Sequence, residues 1–377
     1  MFNYTIAEIN LSIFQNNMNI ISSIIEGAKL LNVLKADAYG HGIVEIAKAS
    51  EKFKADAVGV ATVEEGIKIR KSGVKIPIIV LFQHFKSESG EVCKYDLSPV
   101  ISDAACLPYY DKYLKRYGGS SKLKIYIKTD TGLNRTGAKP NEVLDLAKKV
   151  LSYTNLTLEG ISTHYASADM TDLISKDFTK KQIKTFNEVI NNLKSNKIKI
   201  NTIHSANSAA ILSYKKTIFD MVRAGIILYG YPPLNNDKVN NDKEKIKIKP
   251  VMEVKSKVVL IKNLKKGESV SYGSTWKTNR DTKLALIPIG YADGISRKLS
   301  NNWEFKINNK YYPVRGRICM DLTMVEIFND KINVEDEVLI FGNDKKLNAE
   351  NMAKKIKTIP HEILVRIGKR VKRVYKD

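Results

Sequence analysis

Between residues 30 and 230, eight short apolar runs rich in β-formers alternate with stretches of helical periodicity. Strict alternation of this kind confines a chain to parallel-sheet architectures, because each pair of parallel strands needs a crossover between them. The runs fall at 30–35, 57–61, 76–82, 97–102, 123–128, 158–164, 200–204 and 221–228. Between them, 43–53, 63–71, 140–151 and 179–193 carry apolar residues three and four apart, the spacing of one helix face. Eight strands fit a (β/α)8 barrel of the TIM type better than an open doubly wound sheet, the alternative for the same pattern.

After Tyr231-Pro232-Pro233 the character changes. Residues 235–249 are polar, charged and without period, the composition of a linker or loop. Short β-rich runs follow at 251–261, 284–289, 313–319, 323–328 and 337–341, punctuated by Gly, Asn and Asp. The expected organisation is an α/β barrel over 11–234 followed by a mostly β C-terminal domain over 235–377.

The 377-residue chain has 62 Lys and Arg against 40 Asp and Glu, a net charge of +22 that raises the question of a polyanionic partner. The lysines are spread over nearly every expected helix, and the densest stretches, 243–249 and 369–376, lack the interleaved aromatics of a nucleic-acid platform. A solvated lysine-rich surface accounts for them, and no nucleic-acid partner is expected. The opening MFNYTIAEIN lacks the basic-then-apolar pattern of a signal, and no apolar run is long enough to span a bilayer, so no membrane partner is expected. Cys93, Cys106 and Cys319 are too scattered for a disulfide framework or a zinc site, which points to a reducing cytoplasm and no metal.

A barrel builds its site on the rim at the carboxyl ends of its strands. The first run delivers Lys35 there, within VLKADAYGHG at 33–42. An amine partly withdrawn from water can lose its proton and form a Schiff base with a carbonyl cofactor. Tyr39 and Gly40 follow with a hydroxyl and a bare backbone suited to holding an anion. The fifth run ends in KTDTGLNRTG, with Lys128 first and Arg135 able to aim a guanidinium at a carboxylate, phosphate or phenolate. The sixth ends at His164, followed by Tyr165 and Asp169. The seventh leads into HSANSAA, where Ser208 either cradles a phosphate or simply caps a helix. The eighth carries Arg223, then Gly225 and Ile226, whose backbone amides would complete such a cradle. A lone histidine at 164 suits a structural role equally well, whereas Arg223 cannot shed its charge and needs a partner when buried. The shared strand-end position makes the case for a site.

The string VLKADAYGHG resembles the cofactor-lysine signature of alanine racemases. Three later strings, SYGSTW from Ser271, IPIGYADG from Ile287 and GRICMD from Gly316, resemble the second half of the same family, so the similarity runs nearly end to end. The resemblance implies pyridoxal 5′-phosphate on a (β/α)8 barrel followed by a β domain, in a head-to-tail homodimer. It implies interconversion of L- and D-alanine, supplying D-alanine for peptidoglycan, and a strand within residues 1–10 that packs with the C-terminal domain.

By motif position, the resemblance makes Lys35 the Schiff-base lysine and the base for the D-enantiomer. Tyr272, from the other subunit, becomes the base for the L-enantiomer on the opposite face. His164 and Arg135 would support Tyr272 and the cofactor phenolate, with Arg135 also at the substrate. Tyr39, Ser208, Gly225 and Ile226 would hold the phosphate, while the partner subunit's Met320 would offer its amide to the substrate carboxylate. Tyr291, Asp169, Arg297 and Arg317 match an entry corridor, and Lys128 matches a lysine that carbon dioxide carbamylates in relatives. Arg223 would face the pyridine nitrogen. It cannot accept a proton, so the ring stays unprotonated and persistent carbanion character is disfavoured, which suits a racemase better than a transaminase. The chain departs from some relatives at Lys369, where they place a tyrosine near phosphate and substrate.

Two enzymatic alternatives use the same barrel: a racemase with serine or broad preference, and a related amino-acid decarboxylase. The decarboxylase is disfavoured by the three C-terminal strings. A non-enzymatic cofactor carrier would need the barrel alone, and the long second domain bearing Tyr272 argues against it.

Overall fold

The chain enters through β1 (Ile6–Asn10), whose last side chain accepts the Ile13 amide at 2.8 Å and so caps helix α1 (Leu11–Ile24). The eight expected runs then close into a single parallel barrel in sequence order. Its strands are β2 (Lys29–Val33), β3 (Ala57–Val60), β4 (Ile78–Val80), β5 (Leu97–Ile101), β6 (Leu123–Lys128), β7 (Leu156–Ser162), β8 (Thr202–His204) and β9 (Met221–Ala224). Closure is made by β2 against β9, in register from Lys29↔Met221 to Asn32↔Ala224. Every residue of β3, β4, β5, β8 and β9 is buried, as parallel strands covered on both faces must be. The computed structural model describes residues 4–118, 122–233 and 247–377. Most of the expected linker, 235–249, therefore lies outside the described residues.

Several apolar runs outlast their strands. The run 76–82 is a strand only over Ile78–Val80, and 221–228 stops at Ala224, where Gly225 (φ −112°, ψ −110°) turns the chain into a 3-10 segment, Ile226–Tyr229. Past the strand ends, Leu81, Phe82 and Ile226 line the barrel mouth, so their hydrophobicity reports burial and not pairing. The expected helix 179–193 is the inner part of a longer one, Leu173–Ser195, capped by the Asp172 carboxylate.

The first run departs most from expectation. The strand ends at Val33, two residues before Lys35, and Ala36, Asp37, Ala38 and Tyr39 then take φ of 54°, 54°, 53° and 53°. Left-handed L-residues cost about 1–2 kcal/mol each, so the surroundings must hold this turn. The Ala36 amide donates to Glu65 Oε1 at 2.7 Å, Asp37 Oδ1 accepts from the Ile43 amide at 2.9 Å, and the Gly40 amide returns to the Ala36 carbonyl at 3.0 Å. The turn contains no β-branched residue, the type that tolerates positive φ least.

The rest of the chain forms mostly β structure. A six-stranded sheet runs β16-β15-β18-β10-β1-β19, with β10 at Met252–Lys257, β15 at Glu304–Ile307, β16 at Lys310–Pro313, β18 at Glu337–Phe341 and β19 at Lys372–Lys376. The N-terminal strand thus lies inside the C-terminal sheet, antiparallel to β10 and parallel to β19. A three-stranded sheet, β11-β14-β17, and a ribbon, β12-β13, complete the domain, from β11 (Leu260–Leu264), β12 (Ser269–Val270), β13 (Trp276–Lys277), β14 (Thr282–Ile287) and β17 (Thr323–Phe328). A short helix, Pro360–Val365, presses on the left-handed turn. A Cβ at Gly40 (φ +81°) would stand 2.3 Å from the Leu364 carbonyl oxygen, so only glycine admits this contact. Arg373 Nε also donates to the Gly40 carbonyl at 2.9 Å.

Ala36 is exposed at φ 54°, a conformation that glycine adopts without strain. Ala36→Gly is therefore expected to raise stability by about 1 kcal/mol, read as a higher urea midpoint at unchanged slope. A loss of about 1 kcal/mol, the ordinary cost of glycine in a right-handed helix, would contradict the left-handed turn.

Candidate active site

The carboxyl ends of the barrel strands surround a cavity of about 260 Å³. Ten residues singled out from the sequence line it: Lys35, Tyr39, Lys128, Arg135, His164, Asp169, Ser208, Arg223, Gly225 and Ile226. The left-handed turn accounts for two of them, since Lys35 at its start and Tyr39 at its end both reach the same cavity.

Arg223, on β9, is buried and heavily hydrogen-bonded. Nη1 donates to the His204 carbonyl at 2.9 Å and to His204 Nδ1 at 3.1 Å. Nη2 donates to the carbonyls of Thr163 (2.7 Å) and Ser205 (2.8 Å) and to His164 Nδ1 at 3.3 Å. Among the described residues, Nε takes no partner. A guanidinium has only donors, so each Nδ1 must be a lone-pair acceptor and each imidazole a neutral Nε2–H tautomer. Burial first, and the Arg223 charge second, hold both histidines well below the usual range. Burial also brings Arg223 down to about 10, which leaves it charged at neutral pH.

Three more cations gather on the ring of Phe82. Lys35 Nζ, Lys128 Nζ and Arg135 Cζ lie 5.7, 5.6 and 5.4 Å from its centroid. Lys128 is buried, and its Nζ donates to Thr136 Oγ1 at 2.7 Å. Burial, then the charges of Arg223 and Arg135, push its amine down to about 8. Lys35 is lowered too, by burial first and Arg135 next, with Glu65 opposing. The electron-rich ring face offsets part of this repulsion.

The other side of the cavity is built for an anion. Asn207 caps the short helix Ser208–Ser213, and Ser208 Oγ accepts the Gly225 amide at 2.9 Å. A Cβ at Gly225 would meet the Tyr39 hydroxyl at 2.7 Å and Ser208 Oγ at 3.5 Å. Glycine there brings two hydroxyls and a backbone to one spot. Burial raises the Tyr39 phenol, keeping it a protonated donor. Its ring packs on Tyr229, centroids 4.7 Å apart.

The remaining expected residues lie on the C-terminal domain, away from this cavity. Their three strings converge: Ser271 Oγ donates to the Arg317 carbonyl at 2.6 Å, and the amides of Tyr291 and Ala292 donate to the carbonyls of Cys319 (3.1 Å) and Met320 (3.0 Å). Tyr272, Tyr291 and Met320 are 69%, 44% and 52% exposed, Arg297 is exposed and Arg317 half-buried. Lys369 is exposed and stands outside the cavity. Phe82, Thr136, Tyr229 and His361 escaped sequence reasoning. Phe82 and Thr136 sit in motifs or runs already noted, where position on the rim was the available signal; His361 had none.

Comparison with known proteins gives a consistent answer. Residues 9–233 match the family model for the alanine racemase N-terminal domain, and 251–375 match that for the alanine racemase C-terminal domain. An alanine racemase of Halothermothrix orenii is 39% identical over 377 residues, covering 99% of this chain and 97% of the relative. The solved alanine racemase of Clostridium difficile 630 superposes with a TM-score of 0.90 at 36% identity, covering 100% and 96% of the two chains. That of the D-cycloserine producer Streptomyces lavendulae gives 0.92 at 30% identity, covering 100% and 98%.

The electrostatics of Lys128 can be measured. Its folded value, about 8, lies below the usual lysine value, so the fold carries a penalty that is complete below about 8 and declines as pH rises from there toward the unfolded value. Competitive acetylation of the cofactor-free protein in carbonate-free buffer should titrate Lys128 near 8, with surface lysines titrating above it. Titration of Lys128 together with the surface lysines would contradict the buried cation cluster.

Proposed function

This chain belongs to the alanine racemase family, and from that we propose that it interconverts L- and D-alanine in the barrel mouth with pyridoxal 5′-phosphate as cofactor and a second copy of itself as partner. The observation that carries the reading is one cavity joining a pKa-lowered lysine, a hydroxyl-lined anion cradle and an unshared guanidinium Nε–H. Those residues fit the cofactor. Lys35 would bind its carbonyl carbon, Tyr39, Ser208, Gly225 and Ile226 its phosphate, and Arg223 its ring nitrogen. Bound there, pyridoxal phosphate supplies a carbonyl that condenses with amines and a ring that withdraws electrons from the substrate Cα.

The chain's own residues handle the protons. Racemisation needs one proton to leave Cα and another to arrive from the far side. Lys35, poised below its ordinary value, takes and returns it on one face. The opposite face needs a second base, and the partner's Tyr272 is that group. Its exposure here suits a residue that works in another chain's cavity. His164, with Nδ1 engaged by Arg223, keeps its Nε2 proton to support the phenolate oxygen of the partner's Tyr272. Arg223 cannot take a proton from the ring nitrogen, and Arg135 is available to a carboxylate or phenolate oxygen.

Lys128 deepens this reading. Burial and the charges of Arg223, Arg135 and Lys35, which together outweigh Asp130, leave an amine at about 8 that is a ready acceptor of carbon dioxide. The nitrogen would attack the carbon and release a proton. The resulting carbamate replaces a positive charge by a negative one that orients Arg135. Tyr272, Tyr291, Met320 and Leu322, all exposed apolar residues, form the surface through which a partner copy would offer Tyr272 and the Met320 amide. Tyr291, Arg297 and Arg317 would then line the entry opposite Asp169. No helix among the described residues is long and apolar enough to cross a membrane. All three cysteines are free, which suits a cytoplasmic enzyme supplying D-alanine for the cell wall.

Borohydride reduction of the purified protein should fix the cofactor on the peptide carrying Lys35, and Lys35→Ala should lose about 10²–10⁴-fold in rate or more. Label on Lys128 would overturn the assignment. Tyr272→Phe should chiefly slow α-proton exchange from L-alanine in deuterated water while sparing some exchange on D-alanine. Equal loss from both enantiomers would contradict two separate bases. Chiral chromatography with L-alanine and L-serine, alongside carbon dioxide release from a basic amino acid, separates the alanine reading from its two enzymatic alternatives.

A further inference from the structure

His361 is the one residue beyond Pro233 that lines the cavity among the described residues. It stands in the first turn of Pro360–Val365, the helix that presses on the left-handed turn. Its ring centroid lies 5.8 Å from that of Tyr39, the tyrosine of the anion cradle. Nδ1 is buried without a hydrogen-bond partner. Nε2 has no hydrogen bond either and is not fully buried, so it is the ring nitrogen left to meet a ligand.

We propose that His361 is a further phosphate-contacting residue, donating from Nε2 to the anion cradled by Tyr39, Ser208 and Gly225. The inference rests on the reading of this cavity as a pyridoxal phosphate site. The protonation state supports it, since burial and then the Lys35 charge push the imidazole down to about 4 and keep the ring neutral. A neutral imidazole keeps one N–H, and in the Nε2–H tautomer that proton faces the ligand. The position in the fold supports it too. Lys369, from the same C-terminal segment, is exposed and does not reach the cavity. The chain's own second domain therefore touches the cofactor pocket through His361, and retention of the cofactor is coupled to the docking of Pro360–Val365 on the barrel.

The test compares two ligands on full-length protein stripped of cofactor. Affinities for pyridoxal 5′-phosphate and for pyridoxal, which lacks the phosphate, are measured for the wild type and for His361→Phe. The variant keeps a ring against Tyr39 and removes both nitrogens. Its affinity for pyridoxal phosphate should fall about tenfold, the loss of one charge-assisted hydrogen bond. Its affinity for pyridoxal should stay within about twofold of wild type. Unchanged affinity for the phosphate ester, or equal losses for both ligands, would overturn the proposal. If the phenylalanine variant does not fold, His361→Leu is judged by the same ratio. A wild type that takes up neither ligand would instead overturn the cofactor reading itself, a distinguishable failure.

Discussion

A buried guanidinium organises this barrel mouth. Arg223 satisfies itself on carbonyls at or just beyond the ends of β7 and β8 while standing on β9, so three consecutive strands are tied to one charge. Removing it would leave three buried carbonyls short of a donor, and burying it unpaired would be costlier still. The same group fixes two histidines as neutral acceptors through Nδ1. His164 is left with its other nitrogen as a donor, and a cofactor ring nitrogen placed against Arg223, as proposed, would have no acid to draw on.

Charge accumulation is the second consequence. Arg223, Arg135, Lys128 and Lys35 share one small cavity, and Phe82 presents its ring to three of them. Such a cluster lowers the amines' hold on their protons and favours anions. An amino-acid carboxylate, a phosphate and a carbamate all relieve it. The left-handed turn carries a similar tension in the backbone, held by Glu65, Asp37 and the helix Pro360–Val365.

Much of the fold was legible in the sequence, because eight largely buried strands read as apolar runs between helical periods. The rim residues were legible for a related reason: in a barrel, polar groups just past such runs have one place to go. Strand ends were not, since Phe82 and Ile226 are as apolar as strand residues and serve the mouth instead. The positive φ of Ala36 to Tyr39 left no trace, because alanine and tyrosine ordinarily avoid that region and nothing in their identity marks a left-handed turn. His361 could not be found because its helix meets Tyr39 across 322 residues of chain, and local pattern is blind to such contacts.

In the proposed dimer, one chain supplies only half of each site. The barrel mouth holds Lys35 and the anion cradle, while Tyr272 stands exposed on the other domain. Mixed Lys35→Ala and Tyr272→Phe subunits decide whether the site is shared. Each homodimer should be inactive, but in a mixed dimer one site collects both lesions and the other neither. Random reassortment of equal amounts should restore about a quarter of wild-type activity per site. If both bases came from one chain, every site would still carry a lesion, and no recovery after verified subunit exchange would contradict the shared site.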